Sequence, residues 1–445
     1  MRRRGVSVSR VRRWAAALAM FIIFVVGPAA AGAAPPAPGQ DPFYRYDDTT
    51  PLEQVAPGTV LKTRTTSLHV VGLPTPIKAV QLLYRSTGQR GQATSNVTSV
   101  LLPPVRLGAP KVVSYQSFYD SLNPDDEPSY AVSGGGLSIG GAIPQLESGL
   151  VTPLLLAGYT VAVPDTEGQA ADFAAGPEYG YNTLDGLRAA YNAPAVGLTS
   201  STKAGMIGYS GGAIATEWAA ELAPRYAPEV NRNLVGAAMG GVLADPAHNL
   251  HYVDGSSIWA GVMPMAIIGV SRAFDIDLEP YLSAKGIEVS NKLQHATIAQ
   301  VLGAYPGLTW AQLAKPQYAV AESVPEYVHA ANQLIMGTGG TPTAPLFIGQ
   351  GANGELEGTM GDTPGIGEGD GVMIAGDVRT LARQYCAKGV TVQYQQYDAL
   401  SHVTTAAPWL AQAVPWLTAR FAGLPAPRNC ASIAPGNPLY PIPEQ

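Results

Sequence analysis

From Ile77 onward the chain carries short apolar runs rich in β-branched and aromatic residues, cut by Gly, Pro, Asn and Asp. Runs over residues 77–85, 96–102, 111–116 and 159–163 predict strands, as do 204–207, 234–239, 345–348 and 390–397. Helical periodicity falls between several of them, over 184–192, 213–222 and 378–387. Strands alternating with helices predict an α/β fold, with a mainly parallel sheet covered by helices on both faces. The first two runs, joined by a Gly-rich turn, predict an antiparallel hairpin. The alternation stops over residues 243–341, where helical periodicity continues with hardly any strand signal. That stretch is expected to be a helical cap inserted between two parts of one core, 35–242 and 342–445, the latter including the C-terminal tail. No internal repeat is visible, and residues 35–40 are Pro-rich.

The first 34 residues do not belong to this pattern. Arg2, Arg3, Arg4, Arg10, Arg12 and Arg13 precede an almost wholly apolar stretch, and Ala31-Gly32-Ala33 offers a small-residue cleavage site. The apolar run from Trp14 to Val26 is shorter than the roughly 20 residues a membrane span needs and ends at Gly27-Pro28. Residues 1–34 are therefore expected to be a cleaved export signal, with a single-span anchor as the alternative. Arg12-Arg13 leaves both the general and the twin-arginine export routes open. The whole chain has 27 basic and 33 acidic residues; without those six arginines the balance becomes 21 against 33, a formal charge of −12. Such an acidic protein excludes a nucleic-acid partner on electrostatic grounds. About 410 residues at 46% hydrophobic content suffice to bury a large core. The two cysteines, Cys386 and Cys430, form an even pair that in an oxidising compartment reads as a disulfide stapling the tail to the last large helix.

The pentapeptide Gly-x-Ser-x-Gly places a serine on a sharp strand-to-helix turn, its hydroxyl standing clear of the sheet. It occurs twice, at Gly208-Tyr209-Ser210-Gly211-Gly212 and at Gly136-Leu137-Ser138-Ile139-Gly140. In a chain with 50 glycines the bare motif is weak evidence, so context decides. Ser210 follows a small apolar strand and precedes a strong helix former. Ser138 follows Ser133-Gly134-Gly135-Gly136, which reads as a flexible loop. Ser210 is thus the candidate nucleophile, against a buried turn serine as the plain alternative. A serine needs a base to take its proton and a third group to hold the base. His248, His251, His295 and His329 fall in the predicted insertion; His402 alone lies beyond the last predicted strand, in a loop leaving residue 397. His402 is the candidate base. The acid should follow the 345–348 strand, where Glu355, Glu357, Asp362, Glu368, Asp370 and Asp377 are offered. Asp370, just before the helix that begins near Asp377, is preferred; Asp362 is the runner-up, Asp377 reads as a helix cap, and the others read as surface acids.

Asp41-Pro42-Phe43-Tyr44, Ser114-Tyr115-Gln116 with Asp120-Ser121, Pro128-Ser129-Tyr130, Pro164-Asp165-Thr166-Glu167-Gly168 and Leu184-Asp185-Gly186-Leu187-Arg188-Ala189 add a further pattern. With the Gly-Tyr-Ser-Gly-Gly turn and the Tyr-x-x-Tyr-x-x-x-x-His segment, the chain resembles the secretory lipases of fungi and actinobacteria typified by the yeast lipase A. The likeness spans nearly the whole chain beyond the leader. It implies an α/β-hydrolase fold with a helical cap or lid, acting without a cofactor or metal on triacylglycerols and other fatty-acyl esters, at a lipid–water interface or in solution. It also implies an oxyanion hole from Asp120 and the N–H of Gly211, where a plain turn aspartate is the alternative for Asp120. In relatives a cysteine often precedes the Pro-Ser-Tyr element, whereas this chain has Asp126-Glu127. The family's compact acid motif is replaced here by the long loop through Gly371.

Within the insertion, Ile258, Trp259, Val262, Met263, Met265, Ile267 and Ile268 form a markedly apolar stretch. It is either core of the insertion itself or the wall of an acyl-binding space or mobile lid. The expected activity is secreted ester hydrolysis through an acyl-enzyme. Acyl transfer on the same residues and a non-catalytic lipid-binding envelope protein are the competing readings. No obligate protein partner is evident.

Overall fold

The computed structural model describes residues 35–444, so the expected leader lies outside the described residues. Among the described residues there are nine strands: β1 (Val60–Val70), β2 (Leu73–Thr87), β3 (Ala93–Leu101), β4 (Lys111–Gln116), β5 (Thr160–Pro164), β6 (Lys203–Tyr209), β7 (Leu234–Gly240), β8 (Leu346–Gly351) and β9 (Val392–Tyr397). They form one sheet in the order β1-β2-β3-β5-β4-β6-β7-β8-β9. The pairings from β5 through β9 are all parallel, while β1, β2, β3 and β5 meet antiparallel. The expected hairpin is β2–β3, with Ala79 opposite Leu101 and Thr87 opposite Ala93. Each predicted strand is present with its ends shifted by a few residues. β1 was not predicted, because an edge strand needs no apolar run: only Leu68 of its eleven residues is buried.

Side chains alternate across the sheet. Val112, Met206, Leu346 and Ile348 point into one core, which is completed by α2 (Gly176–Asn192), α3 (Gly211–Tyr226) and α8 (Ala375–Ala387). Val113, Ile207 and Phe347 point into the other, completed by α1 (Ala142–Leu156) and α9 (His402–Phe421). Periodicity does not announce α1 and α9, which carry internal prolines, Pro153 in one and Pro408 and Pro415 in the other. An interior proline reads as a helix stop, and it is tolerated here because one face of each helix is buried on the sheet. Cys386 and Cys430 are bonded as expected, and the disulfide ties the tail to α8, the helix predicted over 378–387; with α9 following it, α8 is not the last large helix.

Between β7 and β8 the described elements are helical, among them α4 (Pro246–Val253), α5 (Val262–Phe274), α6 (Ala284–Leu293) and α7 (Pro325–Gln333). They enclose an apolar cluster of their own, to which the loops bearing Leu122, Phe173 and Val372 contribute.

Candidate active site

The carboxyl ends of β4, β6, β8 and β9 open on one side of the sheet, and each is followed by a residue singled out from sequence. Ser210 caps α3 directly after β6, with φ 55° and ψ −121°. A non-glycine residue in this region stores about 1–3 kcal/mol of strain, held here by its N–H donating to the Gly240 carbonyl at 2.8 Å. The flanking glycines follow from contact. A Cβ on Gly208 would lie 2.1 Å from the Gly212 carbonyl oxygen, and one on Gly212 would lie 2.1 Å from that of Gln116.

His402 was expected in a loop; it is the first residue of α9, whose N-cap Ser401 forms a capping box with Thr404. The hidden helix is the reason for that difference. His402 Nε2 lies 2.8 Å from Ser210 Oγ, and Nδ1 lies 2.8 Å from Asp370 Oδ2. With Nδ1 protonated toward the carboxylate, Nε2 is left to accept from the serine. The backbone fixes the ring further: His402 N–H donates to the Asp370 carbonyl at 2.7 Å, and Tyr209 OH donates to the His402 carbonyl at 2.6 Å. Burial pushes the imidazolium down, but the Asp370 carboxylate, its hydrogen bond, and then Glu357 and Asp120 pull it up, leaving the pKa above its ordinary 6.5.

Asp370 is fully buried. Its Oδ1 accepts the N–H groups of Val372 and Met373 at 3.2 and 2.8 Å, and its Oδ2 accepts Gln350 Nε2 at 2.8 Å. Asp362, the runner-up, is solvent-exposed. Asp377 does not cap α8, a place taken by Ile374; it is buried in the first turn, bonded to His248 Nδ1 at 3.1 Å and Asn437 Nδ2 at 2.7 Å. Glu357 is no surface acid either. Its carboxylate accepts Trp259 Nε1 at 2.8 Å and Val403 N–H at 2.9 Å, beside the imidazole. Gln350, Trp259 and Glu357 belong to no motif, and only the fold brings Gln350 to Asp370 and the other two to the imidazole. Ser138 sits in a turn before α1, donating to Asp126 Oδ1 and accepting from Gly141 N–H, both at 3.1 Å.

Asp120 follows β4 with a left-handed φ of 37°. Its carboxyl packs on Gly211, where a Cβ would fall 1.7 Å from Oδ1. Burial pushes its pKa up to about 7, against the lowering effect of His402. Gly211 opens α3, so the helix itself does not use its N–H.

Asp120, Ser210 and Gly211 face a cavity of about 160 Å³ whose remaining wall comes mainly from the insertion. The apolar stretch there divides its roles: Val262, Met263 and Ile267 line the cavity, while Met265 and Ile268 are buried among the helices. Among the described residues no group of three or more His, Cys, Asp or Glu side chains is arranged to hold a metal, and no helix is long and apolar enough to cross a membrane.

The sheet order, the strained serine turn and the positions of the acid and histidine define an α/β-hydrolase. The chain belongs to the secretory lipase family, whose model matches residues 136–429. It is 28% identical to Candida antarctica lipase A in its closed state, with a TM-score of 0.78 over 93% of each chain. It is 31% identical to the trichothecene C-3 esterase of Fusarium sporotrichioides, over 90% of this chain and 87% of that one. A Mycobacterium tuberculosis protein named a probable inactive lipase is 30% identical, over 87% of this chain and 83% of the relative.

Proposed function

We propose that the protein is a secreted serine hydrolase that cleaves carboxylic esters of fatty acids through an acyl-enzyme. Ser210 Oγ attacks the ester carbonyl while His402 Nε2 takes its proton, and Asp370 holds the imidazole in the required tautomer. His402 then protonates the departing alcohol, and a water activated by the same ring releases the fatty acid. Asp120 and the Gly211 N–H stabilise the oxyanion; a preorganised donor of this kind contributes about 3 kcal/mol. Asp120 can donate through its side chain when that carboxyl is protonated, which a pKa near 7 favours. Residues 1–34 serve as the export signal, and 243–341 as a cap over the acyl chain. The substrate is a lipid or fatty-acyl ester, and no cofactor takes part.

The observation that carries this reading is His402 bridging Ser210 and Asp370 at 2.8 Å on either side, with Ser210 at the wall of an apolar cavity. The test is hydrolysis of p-nitrophenyl esters of graded chain length by wild type and Ser210→Ala. Activity on long chains that the variant lacks supports a lipase, and a short-chain-only profile a plain esterase. Equal rates in both proteins would eliminate the mechanism, and no hydrolysis by the wild type would favour a non-catalytic lipid-binding protein.

A further inference from the structure

The peptide unit joining Asp120 to Ser121 is gripped at both ends. Its N–H, from Ser121, donates to both oxygens of the buried Glu167 carboxylate, at 3.1 and 3.3 Å. Its carbonyl, from Asp120, accepts the N–H of Ile298 at 2.8 Å. Glu167 belongs to the loop after β5, whereas Ile298 opens the short helix Ile298–Val301 within the insertion. Leu122 N–H donates to the Ala296 carbonyl at 2.8 Å, and Ser121 and Thr297 form an antiparallel bridge, so the two segments run side by side. Arg272 of α5 closes the pairing from the flank, donating to the Leu122 carbonyl at 2.9 Å and to the Gln294 side-chain oxygen at 3.1 Å. An aspartate keeps a φ of 37° only where its surroundings enforce it. Fixing the peptide that follows fixes ψ as well, and the two angles together aim the Asp120 carboxyl.

We infer that the backbone amide of Ile298 positions Asp120, which makes the helical insertion a working part of the oxyanion site as well as a cover over the cavity. The inference rests on the oxyanion role proposed for Asp120. Were residues 296–298 to lift away, the Asp120 carbonyl would lose its donor and the left-handed turn one of its two grips.

The fold offers a clean test. Ile298 occupies the first position of its helix, where the N–H makes no helical bond and proline is favoured. Thr297 before it has φ −110° and ψ 158°, the extended conformation that a following proline requires. Ile298→Pro thus deletes the one donor, and Ile298→Val keeps it while trimming the side chain to a similar size. Active-site concentration is set by complete titration with a p-nitrophenyl alkylphosphonate. With p-nitrophenyl butyrate, kcat of the proline variant is expected roughly tenfold below that of the valine variant, as for a buried carbonyl left without its donor. KM should agree within about twofold, and an alkylboronic acid should bind more weakly by a factor close to the kcat loss. If Ile298→Pro does not fold, Arg272→Met decides: it loosens the pairing from the flank and should show the same split between kcat and KM.

Equal kcat in the proline and valine variants, or unchanged kcat in Arg272→Met where that variant decides, overturns the inference. Asp120→Ala separates the layers. A wild-type rate there overturns the oxyanion reading and the inference together, whereas a large loss there with equal proline and valine rates overturns the inference alone.

Discussion

Trp259 and Glu357 share a hydrogen bond of 2.8 Å beside the imidazole, and the indole stands edge-on to the His402 ring with centroids 5.3 Å apart. Glu357 is buried, so its charge acts on His402 with little screening by water. Glu357→Gln removes that charge while keeping an acceptor for Trp259. The imidazolium then loses a stabilising neighbour, and its pKa falls. The acid limb of kcat/KM against pH should move to lower pH; an unmoved limb sinks the assignment.

The wild-type profile follows from the same balance of charges. On the proposed mechanism His402 must be neutral to accept the serine proton, and its pKa is raised above the ordinary 6.5, chiefly by the Asp370 carboxylate working against burial. Activity should therefore decline as pH falls, with the midpoint of the limb in kcat/KM above 6.5, reporting the free enzyme. Initial rates on a soluble short-chain ester across the pH range measure it.

Asp370→Asn and Asp362→Asn distinguish the two acids named from sequence. Asparagine at 370 presents an N–H where His402 Nδ1–H needs an acceptor, so kcat should fall by about 10⁴. Asp362 is exposed, and its amide variant should stay within about twofold of wild type. Steady-state kinetics of the purified pair give the answer, and the reverse ranking would reassign the acid.

Ala331 on α7 is buried and lines the cavity. In Ala331→Trp the indole takes up room otherwise open to substrate, and each methylene kept out of apolar surroundings costs about 0.8 kcal/mol. Two excluded methylenes should lower kcat/KM for p-nitrophenyl palmitate roughly 15-fold, with butyrate little affected. A uniform change across chain lengths would place the acyl chain elsewhere.

The Cys386–Cys430 disulfide closes a sequence separation of 44 residues, and neither cysteine lines the cavity. Replacing both by serine should lower the unfolding free energy by about 2–4 kcal/mol through greater freedom of the unfolded chain. Urea unfolding measures the loss, and kcat at 25 °C should be unchanged.

What the sequence discloses is the part written locally. The strand runs and the serine turn are short-range patterns, and the strands are recovered in the fold to within a few residues. β1 escaped because an edge strand buries little, and α9 because Pro408 and Pro415 interrupt its periodicity. The missed helix is also why His402 was assigned to a loop and why α8 was taken for the last large helix. Glu357, Gln350 and Ile298 are legible only in three dimensions: each acts on a residue distant in sequence, and Ile298 acts through a backbone amide that side-chain identity does not encode.

Ser210 and His402 are separated by 192 positions along the chain. On the reading proposed above, synthesis therefore delivers the hydroxyl well before its proton acceptor. A copy stalled or truncated between the two then has no power to damage the membranes of the cell that makes it, since reactivity arises only once α9 has been translated and has docked.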